Sequence, residues 1–375
     1  MRRRYRLASK RSEKSGILDE ICATTGYDRK YAIRAMRPPT GAKGRAKRGR
    51  KPRYRDPAVL KPLKKIWVTA NLPCSKRLKA MIPEWLPHYE SLYGPLDADV
   101  RQKLLDISPA SIDRVLSATR KQYTSRGRCT TKPGGLLRAQ IPIQTAQWQQ
   151  KKPGFLEADT VSHCGGNQSG LFAFTLDCVD IATGWTEQRA MLGKGSDGVV
   201  KQMRAIERAL PFTLHGFDSD NGSEFINEAL MRHFLSRQRE VLFTRSRAYH
   251  KDDNAHVEQK NWTHVRQWIG YGRIDTAEAV ELLNQLYENE WRLFHNLFCA
   301  SVKLIEKRRE GSKLIRVHDT PKTPYQRVIE SEHVSEYNKR GLKQLYENTN
   351  PFTLRKAIDT RLRKLKKQLR PDNEK

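Results

Sequence analysis

Three acids stand where their type and surroundings could do chemistry: Asp159 in FLEADTV, Asp220 in FDSDNGSEF and Glu258 in DNAHVEQKNW. Asp159 lies in a strand-like stretch with Phe155, Leu156 and Val161, where a carboxylate is costly unless paired or bound to a metal. Asp220 precedes Asn221-Gly222, a pair that forces a tight turn before a helix starting at Ser223. Glu258 sits one turn into a further helix. One acid in a central strand, one at the end of the neighbouring strand and one on a helix packed nearby can converge. Hard cations such as Mg²⁺ and Mn²⁺ want oxygen ligands and keep several waters, so few carboxylates suffice. Two such ions about 3.5–4 Å apart can activate an attacking oxygen and stabilise a leaving one. Asp218 competes with Asp220 for the second place, and the Asp-Asn-Gly turn favours Asp220. Asp177 and Asp180 read as strand-end or turn acids. Asp252 and Asp253 suit the capping of the last helix.

The elements that must position these acids begin at residue 153. Phe155–Val161 is a short mixed strand, Leu171–Val179 a near-continuous apolar run, and Trp185–Leu192 an alternating segment suited to a sheet edge. A helix over 197–210, a strand over 212–217, an amphipathic helix over 223–238, a short strand over 241–244 and a helix over 254–269 follow. The order β-β-β-α-β-α-β-α implies a mixed sheet, antiparallel at its start and parallel at its finish, covered by helices. On the last helix Asn254 and Asn261 share the face of Glu258. They would touch DNA or orient Glu258, with capping as the alternative for Asn254. Lys260 and Arg266 read as phosphate contacts or as a solvated face, and His163, His250 and His256 as structural.

Upstream, residues 10–37 read as a helix-turn-helix broken at Thr24, Thr25 and Gly26. Lys30, Arg34 and Arg37 make a basic face opposite Ala32, Ile33 and Met36, as a recognition helix needs. A basic linker spans 38–55, where eight Lys or Arg and no acid fall between Lys43 and Arg55. Lys47, Arg48 and Arg50 belong to this run, which would follow a phosphate backbone or minor groove, or serve as a solubilising tether. Residues 56–121 are helical again and end in a second helix-turn-helix signal. Ser108 is its N-cap and Pro109 its first helical residue, with Arg114 and Lys121 on the outer face. Residues 122–152 read as a linker, 153–275 as the α/β domain, and 276–375 as a mainly helical, basic C-terminal region. Charge supports a polyanionic partner: 71 Lys and Arg against 41 Asp and Glu leave +30 over 375 residues. Each neutralised phosphate releases counterions and favours binding. The six cysteines form no CxxC pair, which argues against zinc ribbons and disulfide frameworks. No apolar run or signal core marks a membrane or secreted protein.

The segments EADTV, DSDNGSEF and NAHVEQKNW resemble the integrase catalytic core of bacterial insertion-sequence transposases and retroviral integrases. The likeness covers about residues 150–275 and extends more loosely to the upstream helix-turn-helix modules. The last two acids are spaced slightly further apart than is usual in that family. The N-terminal His/Cys zinc module of retroviral integrases is absent, so the insertion-sequence enzymes are nearer. The resemblance implies a ribonuclease-H-like fold and Asp159, Asp220 and Glu258 as catalytic ligands of two Mg²⁺ or Mn²⁺ ions. It further implies cleavage at transposon ends, strand transfer of the resulting 3′-OH into target DNA, and a multimer bridging two ends. For a bacterial source it implies a cytoplasmic, nucleoid-associated enzyme. A catalytically silent DNA-binding regulator, or domesticated transposase, and a ribonuclease-H-type nuclease are the alternatives. Gly193, Gly195 and Gly198 imitate a dinucleotide fingerprint. The segment before them, WTEQRAML, is too polar for the central parallel strand such a site requires, and no Walker motif exists. No nucleotide cofactor is expected.

Overall fold

The computed structural model of the protein describes residues 1–36, 53–123, 152–219, 228–236, 239, 241–245, 255–310 and 312–369. The chain forms two compact units, Met1–Arg53 and Tyr54–Lys375. In the first, α1 (Arg2–Leu7), α2 (Arg11–Thr25) and α3 (Arg29–Met36) follow one another. Helix α2 stops where Gly26 takes φ 69° and closes the turn onto the Cys22 carbonyl, a conformation open to glycine at little steric cost. The Asp28 carboxylate accepts the Lys30 N–H at the start of α3. Ile17, Leu18 and Ile21 bury against Ala32 and Met36, leaving Lys30 and Arg34 exposed.

The second unit opens with α4 (Pro57–Thr69), α5 (Ser75–Tyr93), α6 (Ala98–Asp106) and α7 (Pro109–Arg120). Ser108 caps α7, its side chain accepting the Ser111 N–H at 3.2 Å, with Pro109 in the first turn. A five-stranded sheet follows, in the order β3-β2-β1-β4-β5. Its strands are β1 (Phe155–His163), β2 (Ala173–Asp180), β3 (Thr186–Leu192), β4 (Gly216–Ser219) and β5 (Leu242–Arg245). β1 is central, antiparallel to β2 and parallel to β4; β3 is antiparallel to β2 and β5 parallel to β4. The Gly193–Gly198 segment therefore follows an antiparallel edge strand. Helix α8 (Ser196–Ala209) connects β3 to β4, and α9 (Glu228–Leu235) lies between β4 and β5.

The outer edge of β3 alternates in sequence but is buried. The Asn284 amide accepts the Ala190 N–H at 2.7 Å and donates to its carbonyl at 3.0 Å. Asn296 does the same at Thr186, at 2.9 and 2.8 Å. The two amides stand in for a sixth strand, which satisfies backbone groups that an edge otherwise leaves open.

After the sheet, α10 (Ala255–Lys260) runs through a wider, π-type stretch (Asn261–Arg266) into α11 (Gln267–Ile269). Helix α12 (Ala277–Leu286) continues through similar stretches, Tyr287–Trp291 and Phe294–Phe298. The remainder is mainly helical, as the sequence suggests, with one addition. A hairpin of β6 (Leu304–Glu310) and β7 (Lys313–His318) precedes α13 (Pro324–Glu330), α14 (Glu336–Glu347) and α15 (Pro351–Gln368). Its charge-rich sequence has no apolar period to announce it.

Nor do the regions 56–121 and 276–375 stand apart. Residues of α4 to α7, of the 265–300 region and of α13 to α15 share one apolar core. At its centre the Trp85 indole donates to the Phe298 carbonyl at 3.0 Å, and its ring meets Phe294, Phe298 and Phe352 edge-on. Among the described residues no helix is long and apolar enough to cross a membrane.

A candidate metal centre on the central strand

Side chains alternate across a sheet, and here the two faces differ in kind. On one, Leu156, Ala158, Leu176, Cys178, Phe217 and Phe243 pack against α8 and α9. On the other, Glu157 and Asp159 of β1 stand beside Asp177 of β2 and Asp218 of β4. The register pairs Asp159 with Asp177 and Glu157 with Asp218. Helix α10 covers this acidic face.

Two of these acids hold α10 to the sheet. Glu157 is almost wholly buried, and its Oε2 accepts the backbone N–H groups of His256 at 3.1 Å and Val257 at 3.2 Å. These are among the first-turn donors that a helix cannot satisfy internally. Burial raises the Glu157 carboxyl to about 8, and the charges of Asp218 and Glu258 push in the same direction, against the two backbone hydrogen bonds. Asp159 is half-buried; its Oδ2 accepts the Asn261 amide at 2.6 Å and its Oδ1 the Thr160 N–H at 2.7 Å. Glu258 is exposed on α10, and its charge is felt at Glu157.

The other two acids are enclosed. Asp218 is 2% exposed and accepts the Thr244 hydroxyl at 2.6 Å. Asp177 is fully buried; one oxygen accepts the Gln188 amide at 3.0 Å, and the other has no hydrogen-bond partner among the described residues. Burial raises Asp177 to about 7, opposed by the positive charge of Lys260. Lys260 is itself buried and lowered to about 8 by desolvation, which Asp177 opposes. Its ammonium lies 3.4 Å from His264 Nε2, and the His264 ring stacks on His295 with centroids 4.0 Å apart. Burial first, then neighbouring positive charge, holds both imidazoles well below the usual histidine range.

Several residues lie elsewhere than the sequence suggests. Lys260 does not face solvent for a phosphate, because its side of α10 is pressed towards β2. Arg266 is also turned inward, donating to the Ser162 carbonyl at 2.6 Å with its guanidinium over Tyr271. Asn261 reaches Asp159 rather than the outer surface. Asp177 is a mid-strand acid within the cluster, not a strand-end one, whereas Asp180 does hold a turn, accepting from Gly154 and Thr183. His163 is buried against the Thr175 hydroxyl and lowered to about 3 by desolvation, a structural residue. Lys30, Arg34, Arg114 and Lys121 are exposed. Asp220, Asn254, Arg37, Lys47, Arg48, Arg50, Asp252, Asp253 and His250 lie outside the described residues. Glu157 was not singled out in the sequence, although its place two residues before Asp159 puts both on one face.

The donors suit a hard divalent cation in kind: carboxylates gathered on one face, where the charges of Asp218 and Glu258 raise the proton affinity of Glu157. Among the described residues no three of His, Cys, Asp and Glu come together closely enough to hold a metal ion. The pairing of β1 with β4 is described up to Ala158 and Ser219, one residue short of Asp159 and Asp220.

Fold and cluster together define a two-unit chain: a small helical unit, then a mixed α/β sheet whose central strand presents acids to a capped helix. The chain belongs to the family of "Uncharacterized protein y4rM" of Sinorhizobium fredii (strain NBRC 101917 / NGR234). It is 41% identical to that protein over 327 residues, 86% of this chain and 91% of the relative. No protein-family model matches it.

Proposed function

We propose that the protein is a DNA transposase of the Asp-Asp-Glu type, cleaving transposon ends and joining them to target DNA. The observation that supports this reading best is the attachment of α10 to the central strand. Asp159 lies on β1, and the helix with Glu258 is fixed to that strand through Glu157 and Asn261. The strand order β3-β2-β1-β4-β5, three strands antiparallel and two parallel, is the arrangement a ribonuclease-H-like core would need. The surplus of 30 positive charges suits a polyphosphate substrate, and Lys30, Arg34, Arg114 and Lys121 offer exposed cations on two helical modules.

In this reading Asp159, Asp220 and Glu258 would hold Mg²⁺ or Mn²⁺, which when bound supplies Lewis-acid activation of the attacking and leaving oxygens. Asn261 fixes the rotamer of Asp159 by donating to one carboxylate oxygen. Glu157 anchors the first turn of α10 and so sets the height of Glu258 over the strand. The enzyme would act in the bacterial cytoplasm as a homo-oligomer bridging two DNA ends, without a nucleotide cofactor.

The test is a strand-transfer assay with the full chain, Mn²⁺ and oligonucleotides bearing the terminal repeats that flank its gene. Joined products that vanish in Asp159→Asn support the reading. Equal products from both proteins contradict it, and cutting without joining assigns a nuclease instead.

A further inference from the structure

We infer that a second surface of the larger unit, the groove between α4, the end of α5 and α15, binds the phosphate backbone of double-stranded DNA. This rests on the DNA reading above and concerns residues to which no role has yet been given. The groove has a volume of about 510 Å³ and is lined by Lys65, Leu92, Tyr93, Arg355, Lys356 and Arg363, among others.

Its charge is one-sided. Among the described residues Asp359 is the only acid lining it, and the Arg355 guanidinium binds that carboxylate at 2.9 Å. Arg355 is committed further: it donates to the Thr69 carbonyl at 3.0 Å and lies over the Trp268 ring at 4.3 Å. It is part of the wall. Lys65, Lys356 and Arg363 have no acidic partner among the described residues. Lys65 is exposed, and its ammonium stands over the half-exposed Tyr93 ring at 5.3 Å, a contact with a ring face that leaves its N–H donors open to a phosphate.

The groove continues along α15. Lys356, Thr360, Arg363, Lys364 and Lys367 are exposed and recur at helical spacing, while Phe352, Ile358, Leu362 and Leu365 bury the other face. At 1.5 Å per residue this stripe is about 16 Å long. At 3.4 Å per base pair that spans roughly five phosphates of one strand. Lys61 and Lys64 extend the positive field on α4, which has no acid between Pro57 and Thr69. Two ammonium groups and the Arg363 guanidinium, which is held along the helix by the Asp359 carbonyl and the Thr360 hydroxyl, present charge to an open groove and suit sequence-independent backbone contact.

The test measures affinity of the full-length protein for a 30-base-pair duplex by fluorescence anisotropy across a salt series. Each phosphate contact contributes about 0.9 to the slope of log K against log salt. The triple variant Lys65→Ala, Lys356→Ala, Arg363→Ala is expected to lose about 2–3 from that slope with an unchanged melting temperature. A control removes the same charge from exposed positions on α8 and α14: Lys201→Ala, Arg204→Ala, Lys343→Ala. It is expected to lose less than 1. An unchanged slope in the groove variant, or an equal loss in the control, overturns the groove while leaving DNA binding intact. Failure of the wild-type protein to bind duplex overturns the DNA reading itself. Loss of binding to phosphatidylserine vesicles with an unchanged duplex slope would reassign the groove to membranes.

Discussion

On one face of the sheet Leu156, Leu176, Phe217 and Phe243 meet Val199, Met203 and Phe234; on the other Glu157, Asp159 and Asp177 lie against α10 and the stretch that continues it, with Asp218 beside Glu157. The first face gains its stability from removing apolar surface from water. The second buries carboxyl groups at a cost and recovers part of it through backbone N–H groups, amides and hydroxyls. Packing alone does not call for four acids on one face of a sheet. The contrast puts stability on the apolar face and the proposed function on the acidic one, and each can be tested separately.

The largest effect on folding belongs to the apolar face. Phe217 is 1% exposed and meets Phe234 and Phe243 with ring centroids 5.1 and 5.9 Å away. Phe217→Ala should cost about 3–5 kcal/mol in urea unfolding. A cost below that of any acidic-face substitution would reverse the comparison.

Next is Glu157→Ala, which leaves the His256 and Val257 N–H groups without their acceptor and should cost about 1–3 kcal/mol. Glu157→Gln keeps an oxygen in place and should cost clearly less. Equal losses in the two variants would mean that the side chain matters for bulk rather than as a cap.

A pH titration separates the faces further. Asp177 moves from an ordinary 3.8 to about 7 on folding, so between these values the folded protein retains a proton that the unfolded chain has released. Stability from this group is therefore full below pH 4 and declines as pH rises towards 7. Asp177→Asn should lessen the decline in thermal unfolding and leave the part that comes from Glu157, which burial raises over the same range, whereas an unchanged slope in the variant would place its origin elsewhere.

The smallest effect is expected from Asp159→Asn without metal: its amide oxygen can keep the Thr160 N–H that Oδ1 accepts, and a turn of the Asn261 amide can present its unpartnered Oδ1 to the new NH₂ in place of the bond now made to Oδ2. The melting temperature should change little, with about 1 kcal/mol as the upper bound.

Much of this was legible in the sequence. Apolar runs and turn residues gave the succession of strands and helices along the chain, and Gly26, Ser108 and Pro109 marked helix boundaries through local chemistry. What escaped was tertiary. Glu157 needed the alternation of β1 to be followed two residues back from Asp159. Lys260 needed the rotation of α10 about its axis, which no local pattern specifies. The shared core of Trp85, Phe298 and Phe352 joins residues more than two hundred positions apart, so its elements read as separate regions. The hairpin of β6 and β7 had no apolar alternation to reveal it.

Mn²⁺-dependent thermal unfolding decides whether the acidic face takes a divalent cation through Asp159, as proposed. At a hundred times its Kd, a ligand bound only to the folded state stabilises it by about 2.7 kcal/mol. Wild-type protein should show a melting temperature that climbs with Mn²⁺ and saturates, while Asp159→Asn should not respond over the same range. An equal rise in both proteins, or none in the wild type, would contradict the account.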